Sequence, residues 1–240
     1  MVLISTSDTI WSTSGVLHHA MLAADIVGFG RHDPAIHSYL HTALYRIITE
    51  SLAEIGVSLD ACHREDRGDA VLVIAPADIS VEPLLGRWPH HLRAALRHHN
   101  QISAATAQLR LRIAVNAGYV RYDGHGVGGR AVLHLFRLLD TAAFKTALDD
   151  HRADLGLITS NYLHQEIIRD GPGLIDPAAF TAITVDSKET HGLAWLCLPA
   201  PAFGAGPTPL TPSIVCAQSP VPPPRLPAGR EARGRRPHRQ

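Results

Sequence analysis

The chain has 240 residues, 22 of them basic and 22 acidic, so its formal net charge is zero. With 45% hydrophobic but only 5% aromatic residues, it holds enough Leu, Ile, Val and Ala for the core of one ordinary domain. Residues 201–240 carry six Arg and one Glu, while the remainder carries 16 basic and 21 acidic side chains, a balance that argues against a nucleic-acid binder.

In chain order, the apolar run 20–29 predicts a buried strand that ends near Gly28 and encloses one carboxylate, Asp25. Asp33-Pro34 is a helix-start signal, and Ile36, Leu40, Leu44, Ile47, Ile48 and Leu52 follow at helical spacing over 33–55. A hairpin is expected next, with strands near 58–65 and 70–76 and a turn at Arg67-Gly68. Residues 82–100 read as a helix kinked at Pro89, and 109–120 alternate as a strand. A Gly-rich turn over 123–129 leads to a helix near 130–150. Residues 155–168 read as strand, cap and helix, and two last strands fall near 180–186 and 193–198. This order predicts an α+β fold: a ferredoxin-like βαββαβ palm with a mixed, mainly antiparallel sheet and helices on a face, plus a small C-terminal strand-helix-strand-strand extension.

The predicted organisation is an N-terminal segment 1–17, a domain over 18–199 and a tail over 200–240. Ten of the 17 prolines lie in 201–240, which predicts a disordered basic tail. Three distant cysteines, Cys62, Cys197 and Cys216, suggest neither a disulfide framework nor a zinc knuckle, and fit a reducing, cytoplasmic setting. No signal peptide is evident, and no apolar run approaches the ~18 residues of a membrane helix. Among the 16 histidines, the adjacent pairs His18-His19, His90-His91 and His98-His99 have side chains that diverge, and no HExxH or His/Cys ligand spacing appears, a poor pattern for a metal site.

The sharpest chemical feature is a pair of aspartates. Asp25 sits within an apolar strand, where a carboxylate is costly unless paired, hydrogen-bonded or bound to a cation. Asp69 follows Gly68 at the hairpin turn, 44 residues on. If the two strands are neighbours, both carboxylates point at one spot, and hard oxygen ligands held together suit Mg²⁺ or Mn²⁺ with a triphosphate. Backbone amides of residues 26–29 are candidates to face the phosphates. Taken alone, Asp25 reads more readily as a cap of the next element and Asp69 as a turn residue; it is the two segments together that are specific.

Four segments in register carry a resemblance. Asp25-Ile-Val-Gly-Phe29 resembles the first metal motif of class III nucleotidyl (adenylate and guanylate) cyclases, and Gly68-Asp69 with its apolar strand resembles the second. Arg112-Ile-Ala-Val-Asn-Ala-Gly118 is similar to the family's R-I-G-I-H-T-G strand, and Gly129 to Leu138 to its G-x-x-V-N-x-A-x-R-L helix. The resemblance implies that Asp25, Asp69 and the Ile26 backbone carbonyl bind two Mg²⁺ or Mn²⁺ ions. It implies that Gly28, Phe29 and Lys188 contact the triphosphate, that Glu65 and Gly126 stand at the base-reading positions, and that Arg137 stabilises phosphate charge in the transition state. It also implies a head-to-tail homodimer and an intracellular signalling role; the charge balance and the lack of a long apolar run argue against nucleic-acid and membrane partners, and an unidentified regulatory protein is compatible with the resemblance. Two positions depart from the pattern. Leu133 stands where the family has its transition-state Asn, and Gly126 matches neither the adenylate nor the guanylate type. Three readings follow: an active cyclase, a degenerate cyclase-like domain that binds nucleotide or dimerises, and another palm-type nucleotidyltransferase.

Overall fold

The structure, a computed structural model, describes residues 16–122, 126–187 and 190–199. Lys188, the N-terminal segment to residue 15 and the Pro/Arg-rich tail from residue 200 lie outside the described residues. The strands are β1 (Leu17–Ile26), β2 (His63–Asp66), β3 (Ala70–Ile74), β4 (Leu111–Tyr122), β5 (Val127–Gly128), β6 (Leu155–Ser160), β7 (Phe180–Ser187) and β8 (Thr190–Cys197). The helices are α1 (Pro34–Ala53), α2 (Glu82–Leu85), α3 (Trp88–Ile102), α4 (Arg130–Asp140), α5 (Ala142–Asp150) and α6 (Asn161–Glu166).

The sheet order is β2-β3-β1-β4-β6-β8-β7, with β5 paired to β4. The first four strands lie in the order 2-3-1-4, each antiparallel to its neighbours, the ferredoxin-like βαββαβ arrangement. β6 adds parallel to β4, and β8 and β7 follow antiparallel, completing the mixed α+β sheet and the strand-helix-strand-strand extension.

Alternation along β1 explains why the sheet is covered on both sides rather than one. Ala20, Leu22, Ala24 and Ile26 join one core with Leu40, Leu44, Ile47 and Ile48 of α1 and Trp88, Leu92 and Leu96 of α3. Met21 and Ala23 join the other with Val132, Leu135, Leu138 and Leu139 of α4 and Phe144. A strand apolar at every position requires two apolar covers. Each large side chain buried this way is worth roughly 1.5–3 kcal/mol against exposure.

Local chemistry sets the helix ends. Asp33 caps α1 by accepting from the Ala35 amide at 2.8 Å, with Pro34 in the first turn. The predicted 82–100 helix is two helices that break at Gly86-Arg87; Pro89 lies in the first turn of α3, where its missing N–H costs nothing. The predicted 130–150 helix also divides, because Thr141 is extended (φ −61°, ψ 135°). The strand expected over 58–65 begins only at His63, after a 3-10 turn at Leu59–Ala61.

Candidate functional site

Asp25 lies next to the last residue of β1, directly across from Arg112 on β4 and Ala70 on β3. Its alternation places it with Met21 and Ala23, on the α4 side of the sheet. It is 5% exposed, and its charge has one firm partner. Arg112 Nε donates to Oδ1 at 2.9 Å and Nη2 donates to Oδ2, a bidentate pair. Burial pushes the Asp25 carboxyl above its ordinary value; the hydrogen bonds and charge of Arg112 pull it back, while Asp69 and Asp140 push it up again.

Asp69 closes the β2–β3 turn. Gly68 takes φ +85°, a left-handed conformation that suits glycine, and its amide donates to Asp66 Oδ1 at 2.8 Å. The Arg67 amide donates to the Ala70 carbonyl at 2.8 Å, and the Asp69 carbonyl accepts from the Ile26 amide at 3.1 Å. That last bond continues the β1–β3 ladder by one step and makes the two aspartates diagonal neighbours across it, close enough for Asp69 to act on the Asp25 charge: Asp25 is buried, Asp69 exposed at the rim. The Ile26 and Val27 amides are spent on Asp69 and on the Arg110 carbonyl (2.9 Å), so they do not face a phosphate as the sequence suggested. The turn after them has Gly28 at φ +73° and the Phe29 ring stacked on His37 at 4.2 Å.

Among the described residues, no group of three or more His, Cys, Asp or Glu side chains is placed to hold a metal ion. The aspartate pair is a smaller donor set, of hard oxygen only: two carboxylates and the Ile26 carbonyl, chemistry that fits Mg²⁺ or Mn²⁺ when phosphate oxygens complete the shell. Arg112 takes one lone-pair direction on each Asp25 oxygen and leaves the second.

Glu65 and Gly126, the positions that the resemblance assigned to the base, come together. A Cβ built on Gly126 would stand 3.1 Å from Glu65 Oε1. Both residues line a cleft of about 510 Å³ with His63, Asp66, Arg67, Tyr122 and Val127. Glu65 is heavily engaged there: Oε2 accepts from Arg67 at 2.7 Å, and Oε1 accepts from the Val127 amide at 2.9 Å and lies 3.2 Å from His63 Nε2. Burial works upward on its carboxyl, but the bonds from Arg67, Val127 and His63, with Arg67's charge, outweigh it and hold Glu65 below its ordinary value. Arg67 also lies over the Phe136 ring at 4.5 Å and so ties the hairpin to α4.

On α4, Leu133 and Arg137 are one turn apart on the same face. Leu133 is 58% exposed, and Arg137 is half-buried. Burial, and then Arg137, push the neighbouring His134 below its ordinary value. Sequence reasoning used Arg112 only as part of a strand motif and missed its grip on Asp25; an arginine alternating into an apolar strand was the available signal, since such a charge needs a carboxylate partner.

No family model matches the sequence, and no curated protein is detectably similar to it. Solved structures are. The chain resembles an adenylate/guanylate cyclase/hydrolase from Silicibacter pomeroyi at 19% identity and TM-score 0.53, over 78% of this chain and 99% of that one. It resembles the guanylyl cyclase Cya2 at 16% identity and TM-score 0.52, over 77% and 92%. The guanylate cyclase domain of RhGC from Catenaria anguillulae, solved in complex with GTP, matches at 17% identity and TM-score 0.50, over 75% and 96%. The chain thus has the fold of adenylate and guanylate cyclase catalytic domains.

Proposed function

We propose that the chain is a nucleotidyl cyclase, converting a nucleoside triphosphate into a 3′,5′-cyclic nucleotide and pyrophosphate as a head-to-tail homodimer. The observation that carries this reading is the placement of Asp25 and Asp69 at adjoining ends of β1 and β3, joined by the Ile26–Asp69 backbone bond, on a sheet of this fold. Asp25, Asp69 and the Ile26 carbonyl are the residues that would hold two Mg²⁺ or Mn²⁺ ions. Bound there, the ions would supply Lewis-acid stabilisation of the triphosphate and of the developing alkoxide.

The protein's own part is positioning and charge. Gly28 and Phe29 shape the turn that meets the phosphates. Arg137 of the second copy stabilises charge on the α-phosphate as the ribose 3′-hydroxyl attacks in line. Glu65 and Gly126 border the base; because Glu65 already accepts from Arg67 and Val127, it holds Arg67 and His63 toward the base rather than offering a vacant carboxylate. Product release into an intracellular signalling circuit, under a separate regulatory protein, is the setting this activity fits.

The test incubates purified chain with each of the four triphosphates and Mn²⁺ and separates products by chromatography. A cyclic nucleotide that disappears with Asp25→Asn and with Arg137→Ala is the expected result. A folded dimer that yields none from any triphosphate overturns the reading. One observation favours a second reading, a nucleotide-binding or dimerisation module: Leu133 offers no hydrogen bond at the helix position that would face the reacting phosphate. Saturable nucleotide binding without turnover would select it.

A further inference from the structure

Asp25 already has a cation. The Arg112 guanidinium meets both of its oxygens, and the two side chains are only 12% and 7% exposed. Their backbones are partners in a register that pairs all ten residues of β1 with β4, so neither strand can slide to part them. Charge-assisted bonds shielded from water are strong, and breaking one side of such a pair leaves the other charge stranded. A divalent cation approaching Asp25 therefore meets a compensated carboxylate with a positive group in contact. Asp69, exposed at the rim, has no such clamp among the described residues: its carbonyl, not its carboxylate, is the group engaged by β1.

We propose that Arg112 is a latch on Asp25: it keeps a free divalent cation from settling at the aspartate pair, and the site accepts the ion only together with the negative charge of a triphosphate. Arg112 is then a positioning residue that makes metal and nucleotide binding cooperative. The proposal rests on the cyclase reading for its nucleotide but not for its metal chemistry.

The experiment titrates the full chain with Mn²⁺ in the absence of nucleotide and follows free Mn²⁺ by its electron paramagnetic resonance signal. Wild type should bind weakly. Arg112→Gln should bind about tenfold or more tightly, the equivalent of losing one charge-assisted contact. The gain should vanish in the double variant Arg112→Gln/Asp25→Asn, and Arg112→Lys, which keeps the charge, should stay near wild type. Equal or weaker binding by a folded Arg112→Gln overturns the latch. If that variant does not fold, wild type against Asp25→Asn decides: tight, Asp25-dependent binding of Mn²⁺ without nucleotide overturns it, and weak binding that triphosphate strengthens supports it. Failure of the cyclase reading shows separately, as no cyclic product from a chain whose Arg112→Gln variant still gains Mn²⁺.

Discussion

Leu133 and Glu65 show how single side chains set the expected behaviour of the site. Leu133 shares an exposed face of α4 with Arg137, yet offers no donor to a phosphate or ribose oxygen. Losing one donor aimed at a transition state typically costs about 10²–10³-fold. Leu133→Asn should therefore raise the cyclisation rate, by up to about 10²-fold, with little change in KM; steady-state kinetics with the preferred triphosphate measures this. An unchanged kcat would remove Leu133 from the reacting centre. Glu65 carries a pH signature. Its folded value lies below the ordinary 4.5, so its contribution to stability is present above that value and is lost as the pH falls through the folded one. Glu65→Gln should lower the thermal midpoint near neutrality, and the gap from wild type should close as the pH falls below the ordinary carboxylate value and through the lower folded one. A gap that widens on acidification contradicts the sign.

At the scale of elements, β4 and α4 pack in close contact. A Cβ on Gly118 would stand 2.6 Å from Ala131 Cβ, and Asn116 Nδ2 donates to the Ala131 carbonyl at 3.1 Å. Gly118→Ala should therefore push α4 off the sheet at a cost of about 1–3 kcal/mol, read from the urea midpoint. Adding Ala131→Gly removes the clash and should recover part of the loss, less the roughly 1 kcal/mol that glycine costs a helix. No recovery would place the strain elsewhere. This contact also marks what the sequence could and could not reveal. Asp25 stood out because a carboxylate in an apolar strand needs a partner, and the hairpin turn stood out through Gly68. The partner itself, Arg112, lies 87 residues away, and only the β1–β4 register brings the two together. Local punctuation was legible by type but not by place: Pro89 signalled a break whose position was set two residues earlier by Gly86-Arg87, and nothing in the 130–150 pattern announces an extended Thr141. The two-residue β5, set in a glycine run, has too short a pattern to read at all, yet its Val127 amide is one of the groups that hold Glu65.

For the whole molecule the question is whether one chain suffices. If the aspartate pair and Arg137 of a working site come from different copies, a symmetric dimer contains two such sites, each with Asp25 from one chain and Arg137 from the other. Asp25→Ala and Arg137→Ala should then each be inactive alone. Mixed in equal amounts and allowed to exchange, they form heterodimers as half of all dimers. Each heterodimer holds one site with both defects and one with neither, so about a quarter of wild-type specific activity should return. A site completed within one chain predicts no recovery at any ratio, because every chain carries a defect. Dilution separates the cases again: a shared site loses specific activity as the dimer dissociates, in step with the particle mass measured by light scattering, whereas a self-sufficient chain keeps it.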